Sequence, residues 1–311
     1  MDSRFNTCRS GFCVVLWPGQ LLSKIANLVK PYLLIMPAML ILIGLIIYPL
    51  IFSFSKSLTD FNLGMPGEVF IGLKNYIAAL NDQAFHQSLA VSVMFSLCST
   101  GLGLILGFVT AILLQRDFIS KRFLTILLIL PMMVTPVVVG IIWLLMFQPD
   151  FSVINGLLYL IGIDGPIWLQ DEWLARIAVI VADVWQWTPF FTLILLGGLL
   201  SLPQEVIESA KVDGASGFHL LCYIKVPMMK PLILVALLIR LIDSFKTFDS
   251  IFIMTNGGPG SATEVLSLYI YRTGLPFMNI SYASAMSYLF LIVLIVATTL
   301  LIRQLGRVKN A

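Results

Sequence analysis

The chain alternates between long apolar runs and short polar breaks. Crossing a hydrocarbon core of about 30 Å takes about 20 helical residues. Six runs meet that length, at roughly residues 31–55, 88–114, 123–147, 174–200, 232–254 and 281–302. Backbone donors and acceptors in lipid must be satisfied within their own segment, so each run is expected to be a helix and the fold all-α. Residues 1–30 read as a polar lead-in with an amphipathic helix near Leu21 to Val29, and 303–311 as a short tail. The apolar run Phe12 to Trp17 is too short for the core of a signal peptide. The second run carries Gly101, Gly103 and Gly107; the pair 103/107 has the spacing that lets two helices approach closely. Pro131 and Pro136 remove backbone donors from the third run and predict a kink there.

Composition sharpens this picture. Of 311 residues, 59% are hydrophobic and 11% charged, against about 25% charged in a soluble domain. One soluble core could not hide that much apolar surface, so lipid must be part of the solvent. The net charge of +3 gives no reason to expect a nucleic-acid partner, but its distribution orients the chain. With the N-terminus inside, thirteen of the nineteen Lys and Arg fall in inside segments and four outside, counting Arg176 at the outer end of the fourth run, while Arg240 and Lys246 lie within the fifth run. Cytoplasmic segments carry the excess of positive charge, so both termini and the 201–231 loop are expected in the cytoplasm. The outer loops, 56–87, 148–173 and 255–280, carry Tyr76, Trp168, Trp173 and Tyr269 as interface anchors. Cys8, Cys13, Cys98 and Cys222 have no paired spacing, which argues against a disulfide framework or a zinc site.

The 201–231 loop is more than a reconnection. Ser201 can cap a helix, with Pro203 in its first turn and Gln204 at the reciprocal capping position. That helix runs through Glu205, Glu208 and Ala210 until Gly214 admits a left-handed turn and stops it. Ser216 can cap a second short helix from Gly217 to about Lys225, which Pro227 is expected to end. The small residues at the bend suit either close approach by another protein or an amphipathic segment lying on the membrane.

Polar side chains inside membrane helices are costly and face an interior. The fourth run carries Asp183, Gln186, Trp187, Thr188 and Phe190, with Asp183, Trp187 and Phe190 on one helical face. The fifth carries Arg240, Asp243, Ser244 and Thr247 on one face, with Lys246 and Asp249 beside them. Lys246 and Asp249 read as structural or near the outer mouth. Arg240 has three open readings: a structural ion pair with Asp243, an anchor for an acidic sugar, or a hydrogen-bond donor to a neutral one. Trp187 and Phe190 suit either sugar stacking or helix packing. His86 and His219 are isolated and carry no assigned chemistry. There is no metal-ligand cluster, nucleophile–base pair or catalytic carboxylate pair, so an enzyme is not expected. An ion-coupled secondary transporter is the alternative to an ATP-driven one, but its two matching halves with broken helices are not evident.

Glu208-Ser209-Ala210, then Gly214, then Ile224-Lys225-Val226-Pro227 resembles the EAA motif of the membrane subunits of binding-protein-dependent ABC importers. The spacing matches throughout, with Ser209 for the usual Ala and Val226 for the usual Leu. Asp213-Gly214-Ala215-Ser216 and the segment from Arg240 to Tyr271, including Asn256-Gly257-Gly258-Pro259-Gly260, resemble the carbohydrate-uptake branch related to the maltose and glycerol-3-phosphate permeases. The resemblance implies a type I ABC importer permease fold in a bacterial inner membrane. It implies a second homologous permease, two ATP-binding subunits and an extracytoplasmic sugar-binding protein as partners, with ATP and Mg bound by the ATPase. The chain has no Gly-Lys dipeptide and hence no P-loop of its own. By the same resemblance Glu208, Ser209, Ala210, Asp213, Gly214, Ala215 and Pro227 couple to the ATPase. Gln186, Trp187, Phe190, Arg240, Asp243, Ser244 and Thr247 fall on substrate-contact positions.

Overall fold

A computed structural model describes residues 6–9, 12–15, 18–64, 67–116, 119–149 and 152–309, with side-chain surroundings from Ile35 to Gln304. Two compact units emerge, Met1–Lys56 and Ser57–Ala311. The first begins with a two-stranded antiparallel hairpin, β1 (Asn6–Arg9) and β2 (Phe12–Val15), in which Asn6 faces Val15. Helix α1 (Pro18–Ser57) follows without a break at residue 30, so the expected boundary between lead-in and span is absent from the backbone. The side chains of the expected amphipathic stretch Leu21 to Val29 lie outside the described residues. Ile35–Ser57 is the membrane-crossing part.

In the second unit, α2 (Lys74–Asn81) leads into the second span, α3 (Gln83–Gln115). The third run is not one kinked helix. It is α4 (Lys121–Met133) and α5 (Pro136–Phe147), set at 102° to one another. Pro136 starts α5, where its missing N–H costs nothing, and Val134 and Thr135 between the helices are extended. After α6 (Val153–Leu160) comes the fourth span, α7 (Glu172–Leu200), capped by Asp171. The loop helix α8 (Gln204–Val212) follows.

The fifth span departs from expectation at both ends. α9 (Gly217–Leu220) passes through a π-helical turn, Leu221–Lys225, into α10 (Val226–Phe245). Pro227 therefore ends nothing. The wider π turn before it relieves the clash and the missing donor that a proline brings to a regular helix. The span stops at Phe245, and residues up to 254 form a separate short helix, α11 (Asp249–Met254). After α12 (Leu266–Gly274) in the last long connection, α13 (Ile280–Lys309) runs on through the expected tail.

The core rests on the contact of α3 with α7. The α3 face is made of small residues: Ser88, Ser92, Ser96, Ser99, Gly103 and Gly107 are buried. A Cβ on Gly107 would lie 2.4 Å from Phe191 Cβ and 3.1 Å from the backbone nitrogen of Thr192. One turn on, the hydroxyls of Thr110 and Thr192 meet at 2.6 Å. The glycine pair thus packs two helices of this chain against each other.

Asp82 ties the opposite ends of the helices together. It caps α3 by accepting from the Ala84 backbone N–H at 2.9 Å, and its other oxygen accepts from the hydroxyls of Tyr269 at 2.6 Å and Tyr282 at 2.8 Å. Of the four expected interface anchors, Trp173 is exposed, with the Arg176 guanidinium over its ring. Tyr269 is held by Asp82, Trp168 donates to Asn155 at 2.7 Å, and the Tyr76 hydroxyl meets that of Ser57 at 2.7 Å. Those three serve the protein's own packing.

Candidate functional site

Two regions carry the residues singled out from the sequence. The first is the bend after α8. Ser201 does not cap α8: its hydroxyl donates back to the Gly198 carbonyl at 2.9 Å, and Pro203 occupies the cap position without a side-chain bond. The other end of α8 behaves as expected. Gly214 takes φ +85°, its N–H donates to the Lys211 carbonyl at 3.1 Å, and the Ala215 N–H donates to the Ala210 carbonyl at 2.9 Å. Those two bonds close a Schellman cap, which satisfies the last carbonyls of the helix only if the residue after the cap is left-handed. A Cβ on Gly214 would meet nothing within 4 Å, so backbone conformation and not space requires glycine.

This geometry sorts the motif residues. Ile207 and Leu220 are buried, and Ala210, Ala215 and Ile224 pack beside them on Leu195, Leu199, Leu202 and Met229. Lys225 Nζ donates to Gln115 Oε1 at 3.2 Å. The bend is thereby fixed to the adjoining ends of α3, α7 and α10. Glu208, Ser209, Asp213 and Gly214 face outward. Beside them Val212 is 87% and Phe218 78% exposed. Pro227 is exposed at the start of α10.

The second region lies between α7, α10 and α3. Arg240 is 2% exposed and Asp183 3%. Arg240 Nη2 is ion-paired to Asp183 Oδ2, which also accepts from the Ser99 hydroxyl. Arg240 Nη1 reaches Asp243 Oδ2 at 3.2 Å. The expected pair with Asp243 exists, but Asp183, from another helix, is the buried partner. A carboxylate in the middle of an apolar run was itself the signal, because a buried charge needs a counter-charge. Ser99 gave no such signal among the other small residues of α3.

Gln186 is committed to a neighbouring helix end. It is buried and donates to the Val134 carbonyl at 2.9 Å, where α4 has ended and that carbonyl has lost its helical partner. It therefore holds the break between α4 and α5. Trp187 carries the Arg240 guanidinium 4.9 Å from its ring centre and meets Phe190 edge-on at 6.4 Å. Ser244 is buried, and Thr247 lies beyond the end of α10, its carbonyl accepting from Ser267 at 2.8 Å. The four-residue face expected on one helix is thus split by the helix end at Phe245.

A cavity of about 350 Å³ is walled by Trp187, Phe190, Arg240, Asp243 and Lys246. A second, of about 180 Å³, shares Trp187, Asp243 and Lys246 with it and adds Asp183, Gln186 and Thr247. A larger groove of about 770 Å³ lies elsewhere, against Leu106, Leu128, Val184 and Trp185. Its two threonine hydroxyls, on Thr110 and Thr188, both donate to backbone carbonyls, which leaves an apolar groove suited to lipid chains and not to a polyol.

Residues 103–308 match the family described as binding-protein-dependent transport system inner membrane component. A probable ABC transporter permease of Sinorhizobium fredii is 37% identical over 88% of this chain and 88% of its own length. The trehalose/maltose transport system permease of Thermococcus litoralis is 34% identical over 90% of this chain and 94% of its own. Among solved structures, a bacterial ABC transporter involved in importing the acidic polysaccharide alginate has a chain that superposes with a TM-score of 0.80 at 22% identity, covering 93% of this chain and 99% of that one.

Proposed function

Because the chain belongs to the inner membrane components of binding-protein-dependent transport systems, we propose that it is the permease subunit of an ATP-driven sugar importer of the bacterial inner membrane. Its fold is that of the type I ABC importer permeases. Membership in this family sets aside the ion-coupled alternative. The importer reading makes this chain a conduit: hydrolysis, with its ATP and Mg, belongs to a partner ATPase. A second permease completes the path, and an extracytoplasmic binding protein delivers the sugar. Both termini and the α8 bend face the cytoplasm, in line with the positive-charge asymmetry. The relatives named above act on trehalose and maltose in one case and on an acidic polysaccharide in another, which supports a sugar without fixing its charge.

The observation that carries the proposal is the Schellman-closed bend. It presents Glu208, Ser209 and Asp213 outward beside exposed Val212 and Phe218 while its inner side is fixed to the membrane helices. A rigid body packed on α7 and α10 transmits a displacement imposed on its outer face. Purifying the complex through a tag on this chain should recover an ATPase in proportion to it. Gly214→Val should leave membrane insertion intact and reduce sugar-stimulated ATP hydrolysis at least tenfold, because a β-branched residue resists φ +85°. An absent ATPase, or normal coupling in the variant, would remove the basis of the proposal.

A further inference from the structure

The two abutting cavities between α7 and α10 are lined by more negative than positive charge. Their ionisable residues are Asp183, Asp243 and Asp249 against Arg240 and Lys246. Arg240 is already committed on both terminal nitrogens, Nη2 to Asp183 and Nη1 to Asp243. Among the described residues Lys246 is the lining cation outside any ion pair, and it is flanked three residues either way by Asp243 and Asp249.

From this we infer that the cavity selects uncharged sugars against anionic ones, with Asp243 enforcing the selection; the inference rests on the importer reading above. To pair fully with Arg240, whose charge Asp183 and Asp243 already balance, a carboxylate or phosphate draws it away from an aspartate. That leaves a carboxylate without its counter-charge, buried outright if it is Asp183. An anion at Lys246 shares its cavity with the carboxylates of Asp243 and Asp249, in a partly desolvated space where like charges repel more strongly than in water. A hydroxyl faces neither obstacle. Asp243 spends Oδ2 on Arg240, and its side chain is 46% exposed, so Oδ1 can accept from a sugar hydroxyl without breaking the pair. Trp187 lines both spaces, so a sugar in either has an aromatic surface to lie against.

The test uses the whole complex in nanodiscs, without the binding protein, so that selection at the membrane is read alone. Maltose, lactose and cellobiose are compared with maltobionate, lactobionate and cellobionate by equilibrium dialysis at fixed ionic strength. The wild-type complex should bind the neutral member of the best pair at least tenfold more tightly than its acid. Asp243→Asn removes a lining charge and half of what balances Arg240, so it should shrink that ratio at least tenfold, whereas Asp243→Glu should preserve it. Acids bound as tightly as neutral sugars by the wild type would overturn the inference. So would tight acid binding that disappears in Lys246→Met, which would place an anion site at Lys246. A complex that binds neither class would overturn the sugar reading itself, a different result from one in which the acids bind. The wild-type comparison decides the matter even if Asp243→Asn does not fold.

Discussion

Arg240 shows how one side chain can govern its neighbourhood. It is buried with two carboxylates and over an indole face, and removing it alone strands Asp183. Leaving a buried charge unpaired costs about 3–5 kcal/mol. Arg240→Ala should therefore sharply lower the yield and thermal midpoint of the detergent-solubilised complex. Arg240→Ala with Asp183→Asn should recover most of the loss, and Arg240→Ala with Asp243→Ala should not. The reverse ranking would make the same-helix pair the important one. From sequence alone Asp243 was the natural partner, since residues three apart on a helix face each other. Asp183 is 57 residues away, and periodicity does not say which helices are neighbours. Asp82 makes a second prediction at this scale. Burial pushes its carboxyl up, but the hydroxyls of Tyr269 and Tyr282 and the N–H groups of Ala84 and Phe85 together hold it below its ordinary value. A carboxylate with a lowered folded-state pKa stabilises above its unfolded value and loses that contribution as pH falls through the folded one. The gap in thermal midpoint between wild type and Asp82→Asn should be full at pH 6–7 and close as the pH is taken down below about 4. A gap that does not change over that range would show that the junction does not depend on this charge.

Elements were legible where local chemistry decides them. Gly214 is left-handed because the α8 cap needs it, and the spacing back to Ala210 is the spacing of the cap's own hydrogen bonds. The close-approach pair Gly103 and Gly107 of α3 was legible too, and it leads to a paired test. Gly107→Val would drive side-chain atoms into Phe191 and the α7 backbone, costing about 1–3 kcal/mol or more. Gly101→Ala meets nothing within 4 Å and should be neutral or slightly stabilising. Equal effects on thermal stability would remove the α3–α7 contact from its central place. Helix ends were less legible. Pro131 and Pro136 announced a disturbance but not a 102° turn, at which Gln186 of α7 takes up the carbonyl of Val134. Pro227 looked like a terminator because the π turn that accommodates it has no sequence signature. The early end of the fifth span at Phe245 was hidden because Ile251 to Met254 continue the apolar run on a new helix, α11.

For the whole molecule, five helices and one bent pair among the described residues are long and apolar enough to cross a membrane, in keeping with the hydropathy of the chain. Which helices pack together, and hence where the charged cluster forms, belongs to tertiary contact that hydropathy does not carry. That cluster has a consequence for how the protein is made. An arginine within a nascent span opposes its entry into lipid, by up to about 2.5–3.5 kcal/mol at the helix centre. Ser99 and Asp183 both precede Arg240 in the chain, so the receiving carboxylate is already in the membrane when α10 leaves the ribosome. Chain order thus acts as an assembly schedule, with α7 as the acceptor that admits the fifth span. Asp183→Leu should leave α7 at least as well inserted but strand α10 on the cytoplasmic side in a sizeable fraction of molecules, so that α13 enters with reversed polarity. A cysteine placed at Lys309 would then become reactive from outside the cell in that fraction, while in the wild type it stays protected. If it stays protected in both, α10 crosses the membrane without its partner, and the pairing is made only after synthesis is complete.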